Sequence, residues 1–211
     1  KDNTRFQGAM WQAMRMAADL PNSHQIVVNG FITGDEGIRM SKTLGNVYDP
    51  IPLVEKYGAD SLRYFCLAKI SPFQDGDFSE YKFKETYNAD LANGLGNLIA
   101  RVAKLCENNN IKTTAGSNIL CADLEKYMDE FKFNEALAVI WQLISEADKK
   151  INQEKPWQLS GEKLKEVLLD YVKRIQAITF NLQPFLPETA EKILKQFSDI
   201  IKSSAPLFPR I

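Results

Sequence analysis

The feature that most constrains the fold is a series of long apolar stripes in the second half of the chain. Apolar residues recur at every third or fourth position from Phe83 to Leu105. Similar stripes cover residues 120–131, 137–151 and 164–185, and a last short helix is expected to begin at Pro187. This spacing places apolar side chains on one face of a helix. Helices of this kind bury their apolar faces against each other, so the second half is predicted to be a helix bundle.

The first part of the chain has a mixed pattern. Residues 5–20 have helical apolar spacing and predict one amphipathic helix that ends at a proline. Residues 26–33 are rich in β-branched and aromatic side chains, and a return strand at 38–40 would complete a β-hairpin. Short helices are expected on both sides of Gly58, with Asp60 as a helix cap.

The composition excludes several classes of protein. Lys and Arg number 26 and Asp and Glu number 27, so the formal net charge is −1 and no overall positive field attracts nucleic acid. Any RNA contact must therefore be a local patch. No apolar run approaches the ~18 residues of a membrane span, and no signal peptide is recognisable. The spacing of Cys66, Cys106 and Cys121 argues against a metal site and a disulfide framework, and it fits a reducing cytoplasm.

A short polar segment after the expected hairpin is a candidate for chemistry. Arg39-Met40-Ser41-Lys42-Thr43 places a lysine between two hydroxyl residues on a loop without apolar periodicity. An ammonium on a flexible stem can follow a triphosphate as charge moves onto the leaving pyrophosphate. The alternative is an ordinary solvated loop. These five residues alone leave both interpretations open.

Two neighbouring segments favour the phosphate role. The loop lies between Val28-Asn29-Gly30-Phe31-Ile32-Thr33 and Gly58-Ala59-Asp60-Ser61-Leu62-Arg63-Tyr64-Phe65, an arrangement that resembles the class I aminoacyl-tRNA ligases. The resemblance implies that residues 39–43 form the ATP-binding signature loop and that Lys42 is the catalytic, phosphate-stabilising residue. Arg39 and Thr43 differ from the commonest lysine and serine of that signature, but they keep the positive charge and the hydroxyl.

Further motifs resemble the methionine-specific branch of that family. They are Ser71-Pro72 to Ser79, Asn88 to Asn93, Gly96 to Arg101, Lys155-Pro156-Trp157 and Pro206 to Ile211. The resemblance implies that Asn97, Arg101 and Trp157 bind the anticodon, and Lys104 is expected to contact phosphate. Residues four apart share a helix face, and an indole stacks on an unpaired base. The alternatives are a Trp157 that caps the bundle core and an Arg101 that is a solvated helix charge.

The resemblance also implies what the chain lacks. It places Trp11 in a methionine pocket, where Gln7 stands in place of the family's usual histidine. The family's histidine-isoleucine-glycine-histidine signature is absent, because the chain has one histidine, His24, in a turn-like stretch. The chain opens on Lys1 and is expected to be a fragment that is inactive by itself. ATP with magnesium, methionine and the tRNA for methionine are the expected ligands of the full enzyme.

These observations predict a mainly α fold in two domains. Residues 1–72 are expected to be the end of a class I nucleotide-binding α/β domain, with a helix, a short hairpin, the signature loop and connecting helices. Residues 73–211 are expected to be a helical anticodon-binding domain that recognises CAU. The alternatives are a fragment of a class I ligase for leucine, isoleucine, valine or cysteine, and a stand-alone helical module that binds RNA or protein.

Overall fold

The computed structural model describes residues 1–114, 116 and 121–211, which form two compact units. The first unit contains residues 1–48 and 70–78, and the second contains residues 49–69 and 79–211. The units therefore interleave along the chain, whereas the sequence analysis drew one boundary near residue 72. Within the described part of the chain, no helix is long and apolar enough to cross a membrane.

The first unit combines one helical segment with one very short parallel sheet. A π-helical segment, Phe6–Met10, continues into helix α1, Trp11–Ala17, so the predicted first helix is present but ends three residues earlier than expected. Strand β1, Ile32–Thr33, pairs in parallel with strand β2, Gly76–Asp77. Ile32 lies opposite Gly76 in this pair.

The predicted β-hairpin is wrong. Residues 26–31 and 38–40 form no strand. The turn between β1 and residues 38–40 contains a 3₁₀ helix, Asp35–Gly37. The partner of β1 is instead β2, which comes from a segment, residues 71–77, that is rich in turn-forming residues. A β-prone sequence shows that a segment fits a sheet, but tertiary contacts select the strand that pairs with it.

Contacts around β1 explain this choice of partner. The N–H of Gly30 donates to the carbonyl oxygen of Pro72 at 2.9 Å, and the N–H of Phe31 donates to Oδ1 of Asp75 at 2.9 Å. A Cβ atom on Gly30 would lie 2.0 Å from the carbonyl oxygen of Gln74. Glycine is therefore required at this position, because only a residue without a side chain permits so close an approach.

The apolar stripe of the first helical segment is exposed. Phe6, Met10 and Met14 are each more than half exposed, and Trp11 is 43% exposed. The sequence indicates that this segment has an apolar face but does not indicate what covers it. Exposed apolar surface of this kind is typical of a region that contacts another polypeptide.

The second unit is built from helices. It begins with α2, Pro50–Tyr57, and α3, Ala59–Lys69, which are separated by Gly58 with a φ of +84°. Helix α4, Glu80–Thr86, continues through a π-helical segment, Tyr87–Gly96, into α5, Asn97–Asn108. The later helices are α6, Ala122–Asp129, α7, Phe133–Glu154, α8, Gly161–Leu182, and α9, Pro187–Gln196.

The predicted apolar stripes coincide with these helices and form the core of the unit. Their most deeply buried members include Leu91, Leu95, Leu98, Val102, Leu137, Ile140, Leu168, Val172, Leu182 and Ile193. Leu120, the expected first residue of one stripe, lies outside the described residues. The chain is thus mostly helical, as predicted, and its second half contains the long helices that the spacing indicated.

The π-helical segment before α5 was not predicted, and its Asp90 makes contacts with α3. Oδ2 of Asp90 accepts the Tyr64 hydroxyl at 2.9 Å and lies 2.8 Å from Nζ of Lys69. The Tyr64 ring stacks on Trp141 with ring centroids 4.3 Å apart. Burial, followed by the charge of Asp90, raises the pKa of Tyr64, so its hydroxyl stays protonated and donates. These contacts fix the helical segment that leads directly into α5.

Helix α3 is also tied to the region where α9 begins. Arg63 donates from Nε to the carbonyl oxygen of Phe185 and from Nη2 to that of Pro184, both at 2.9 Å. Asp60 was expected to cap α3, but it is the second residue of that helix. Its Oδ2 instead accepts the N–H of Thr189 in the first turn of α9 at 2.7 Å. A carboxylate suits this place because the first N–H groups of a helix lack partners within the helix.

Candidate functional site

The residues of the predicted signature loop lie in the first unit, where side chains hold the loop in a compact turn. The N–H of Ser41 donates to Oδ1 of Asn46 at 2.8 Å, and the N–H of Leu44 donates to Oγ of Ser41 at 3.1 Å. Nδ2 of Asn46 donates to the carbonyl oxygen of Arg39 at 3.2 Å. Gly45 has a φ of +67°, a conformation that glycine adopts without strain.

This turn leaves Lys42 and Thr43 exposed to solvent. No described carboxylate forms an ion pair with Lys42, so its ammonium is available to an anion. Arg39 is engaged: Nη2 lies 3.1 Å from Oδ2 of Asp2, and the guanidinium carbon lies 5.2 Å from the centroid of the Phe31 ring. The two cations of the loop are therefore not equivalent, and Lys42 is the more accessible. Met40 is half-buried beside them.

Asn46 is a residue whose role the sequence analysis missed. Its amide joins the end of the loop to the beginning, because it bonds to the backbone of both Arg39 and Ser41. The available signal was an asparagine directly after the exposed Gly45, a pattern typical of side chains that close turns. Trp11, the predicted methionine-pocket residue, has the guanidinium carbon of Arg15 5.7 Å from its ring centroid.

The three residues predicted to read an anticodon lie in the second unit. Asn97 is the first residue of α5, its side chain is exposed, and it forms no hydrogen bond with another described side chain. Arg101 follows one turn later and points toward α7. It forms an ion pair with Asp148, and its Nη2 donates to Oδ1 of Asn152 at 2.8 Å.

Asp148 and Asn152 therefore hold the Arg101 guanidinium from the C-terminal half of α7. They also bond to each other, because Nδ2 of Asn152 donates to Oδ2 of Asp148 at 3.2 Å. The alternative of a freely solvated Arg101 is wrong, because its side chain is partly buried and has two partners. These partners were not found from the sequence, because Asp148 and Asn152 lie 47 and 51 residues away from Arg101 along the chain.

Trp157 lies just beyond the end of the same helix, in a 3₁₀ turn, Pro156–Gln158. Its side chain is 55% exposed, whereas Pro156 beside it is buried. The indole is therefore not a cap of the core. Lys155 starts this turn in the left-handed conformation with a φ of +46°, and Gln158 closes it by donating its N–H to the Lys155 carbonyl oxygen at 2.8 Å.

A partly buried hydrogen bond anchors the turn to α8. Tyr171, which is 2% exposed, donates its hydroxyl to Oε2 of Glu154 at 2.6 Å. Burial and then the hydrogen bond to Glu154 raise the pKa of Tyr171, so the phenol remains a donor. Glu154 is the last residue of α7, three positions before Trp157. Tyr171 lies within the apolar stripe predicted over residues 164–185, and the structure adds this positioning role.

We expect Tyr171→Phe to alter the surroundings of Trp157. Removing the hydroxyl takes the donor from Oε2 of Glu154 and should lower the free energy of unfolding by about 1–2 kcal/mol. In protein labelled with 5-fluorotryptophan, ¹⁹F NMR should show a shifted or broadened Trp157 signal, assigned with Trp157→Phe, and unchanged Trp11 and Trp141 signals. Tyr81→Phe removes a hydroxyl from a 75% exposed ring and is the matched control. An unchanged Trp157 signal would contradict the anchoring role.

The structure also shows the surroundings of the other residues considered in the sequence analysis. Lys104 is exposed, and its Nζ lies 2.9 Å from Oε2 of Glu107. His24 is exposed, as expected. Cys106 is buried, and burial raises the pKa of its thiol to about 12, whereas Cys66 and Cys121 are only partly buried. In the parts of the chain that the structure describes, no group of three or more His, Cys, Asp or Glu side chains is arranged to hold a metal ion.

Comparisons with known proteins show which proteins this chain is similar to. The family model for class I tRNA synthetases, of the type designated M, matches residues 1–103. The whole chain is related to methionine–tRNA ligases, which confirms the resemblance inferred from its motifs.

Individual relatives support this relationship. The methionine–tRNA ligase of Bacillus subtilis (strain 168) is 35% identical over 93% of this chain and 32% of the relative. That of Brucella suis biovar 1 (strain 1330) is 34% identical over 100% of this chain and 48% of the relative. A crystal structure of Mycobacterium tuberculosis methionyl-tRNA synthetase bound by methionyl-adenylate superposes with a TM-score of 0.80 at 25% identity, covering 99% of this chain and 48% of that one. The chain thus spans about a third to a half of the length of these relatives.

Proposed function

We propose that this chain supplies the ATP-site loop and the anticodon-reading helices of a cytoplasmic methionine–tRNA ligase. In this proposal the whole enzyme activates methionine with ATP and transfers it to the tRNA for methionine. The observation that carries the proposal is the grouping of an oriented guanidinium and an exposed indole at one end of α7. Arg101 is held there by Asp148 and Asn152, and Trp157 follows the end of the same helix.

The chemistry of this group fits unpaired bases. The indole of Trp157 offers an exposed aromatic face on which a base can stack. The guanidinium of Arg101 can donate to base edges, and the unengaged amide of Asn97 can donate to them or accept from them. Because Arg101 is already oriented by two partners, binding a base would cost little additional side-chain entropy. Lys104, one turn further along α5, would contact backbone phosphate.

The loop has a separate role in the proposal. Lys42 would stabilise the negative charge that develops on pyrophosphate when the methionine carboxylate attacks ATP, and Arg39, Met40, Ser41 and Thr43 would shape the loop around it. Magnesium would reach the site with the ATP phosphates. Trp11 would contribute to the methionine pocket. The chain alone is proposed to be inactive in adenylation, because the histidine signature that holds ATP is absent from its sequence.

The decisive experiment is a titration of the chain with two tRNAs that differ only in the order of the anticodon bases, one of them reading CAU. Stacking on Trp157 is worth ~1–3 kcal/mol per base, so Trp157→Ala should weaken binding to the CAU form about 5- to 150-fold. Trp157→Phe keeps an aromatic face and should lose less. Tyr81→Ala removes another exposed ring and should bind as the unmodified chain does. Equal affinity of the unmodified chain for both tRNAs would refute anticodon reading.

A further inference from the structure

A basic cleft lies on the second unit between α9 and the segment 200–207. Lys192 and Lys195 line it from the helix, and Lys202, Ser203 and Ser204 line it from the other side. The described residues that line the cleft include no Asp or Glu. Since the net charge of the chain is −1, this concentration of positive charge is local rather than a property of the whole surface.

The side of the cleft opposite α9 is held in place by the core. Ile201 and Phe208 are buried at 1% and 6% exposure and anchor the segment at both ends. The N–H of Ile201 donates to the carbonyl oxygen of Ile111 at 3.3 Å, and Nε2 of Gln196 donates from α9 to the carbonyl oxygen of Lys202 at 2.7 Å. The cleft is therefore formed before any ligand binds.

The charges of the cleft are not balanced within the described residues. Lys192, Lys195 and Lys202 are exposed, and no described carboxylate lies within ion-pair distance of their ammonium groups. Glu191 lines the neighbouring depression together with Lys195, but it does not pair with it. Like charges three residues apart on a helix destabilise it slightly, which applies to Lys192 and Lys195. An anion placed between these lysines would remove that repulsion.

The cleft adjoins the helix that carries the proposed base-reading residues. Oγ of Ser203 donates to Oε2 of Glu107 at 2.8 Å, and the same oxygen lies 2.9 Å from Nζ of Lys104. Arg101, Lys104 and Glu107 follow each other along α5 at intervals of three residues, a distance of about 9 Å from first to last. A nucleic-acid strand read at Arg101 would therefore run close to the cleft.

We propose that the cleft lined by Lys192, Lys195 and Lys202 binds backbone phosphates of the same RNA whose anticodon is read at Arg101 and Trp157. This inference rests on the proposed function for the identity of the RNA. Phosphate contacts of this kind position the nucleic acid and carry no sequence information. They add affinity that falls steeply with salt, because each neutralised phosphate releases a condensed counterion.

The test is the salt dependence of binding between about 50 and 200 mM salt, measured with the CAU tRNA and its anticodon-permuted form. The triple variant Lys192→Ala, Lys195→Ala, Lys202→Ala should reduce the slope of log K against log salt by about 2. Its loss of affinity should be equal for the two tRNAs and about 15-fold larger at the low-salt end than at the high-salt end. A triple variant at Lys56, Lys126 and Lys173, which are exposed on the second unit and do not line the cleft, is the charge-matched control.

The outcomes separate this inference from the proposed function. A slope equal to that of the unmodified chain, in a variant whose circular dichroism and melting are unchanged, would overturn the cleft as a phosphate site. A slope reduced equally by the control variant would also overturn it, because the effect would then be one of net charge. A reduced slope in a chain that binds both tRNAs equally would support the cleft and refute anticodon reading.

Discussion

Asp60→Ala should lower the free energy of unfolding of the helical unit by about 2–3 kcal/mol, measured by urea denaturation with far-ultraviolet circular dichroism. Asp60 is 5% exposed, and its Oδ2 accepts the buried N–H of Thr189 at 2.7 Å. Alanine would leave that N–H without an acceptor and would remove a negative charge from the positive end of the α9 dipole. This contact joins positions 129 residues apart, so its loss should loosen α9 from α3.

Two variants make this prediction specific. Asp60→Asn keeps an oxygen acceptor but removes the charge, and we expect it to lose about 1 kcal/mol. Asp123→Ala removes an exposed carboxylate from the first turn of α6 and should change stability by less than about 0.5 kcal/mol. If Asp60→Ala and Asp123→Ala were equally stable, the contact with Thr189 would have no stabilising role.

Lys42→Ala should reduce methionine-dependent ATP–pyrophosphate exchange about 100- to 1000-fold in a complete enzyme. A suitable enzyme is a chimera in which this chain replaces the corresponding part of the Brucella suis relative, of which it covers 48%. The loop presents Lys42 to solvent, and no carboxylate of the described residues pairs with it, so its ammonium can follow the charge that develops on pyrophosphate. The substitution should lower kcat and leave KM nearly unchanged, because the interaction of Lys42 with the phosphates strengthens in the transition state.

Matched substitutions separate charge from loop structure. Lys42→Arg keeps the charge with a different geometry and should retain part of the activity. Asn46→Ala removes the hydrogen bonds that hold Ser41 and Arg39 and should have a smaller effect than Lys42→Ala. Lys56→Ala, an exposed lysine of α2, should leave the exchange rate unchanged. A chimera with Lys42→Ala that retains more than a third of the activity would contradict the catalytic role.

The helices of the second unit were predictable from sequence because their packing signal is local. Stripes such as Phe83 to Leu105 repeat at helical spacing, and burial of one face is what stabilises a helix in a protein. Breaks at Gly58 and Pro187 were also predictable, since a φ of +84° favours glycine and proline suits a first helical turn. The π-helical geometry of Tyr87–Gly96 was not predictable, because the same stripe is compatible with an α-helix.

The short sheet shows the limit of local patterns. Residues 26–33 have a strong β-prone composition, yet only Ile32–Thr33 form a strand, and the pairing partner lies 44 positions away in a segment rich in turn residues. Two-residue strands have no periodicity to detect. The candidate site shows the same limit. Nothing in the local sequence of Asp148, Asn152 and Tyr171 distinguishes them from other helical residues. They gain their roles only from contacts with Arg101 of α5 and Glu154 of α7.

The sequence by itself determined the helical character of the second unit, the exposed lysine loop and the motifs that relate the chain to methionine–tRNA ligases. These properties depend on residue type and on spacing along one element, so no knowledge of distant contacts is needed. Tertiary structure alone decided that β1 pairs with β2, that Asp60 caps α9 rather than α3, and that Arg101 is oriented while Trp157 stays exposed. Each of these depends on groups far apart in the chain, whose approach is set by the packing of whole helices.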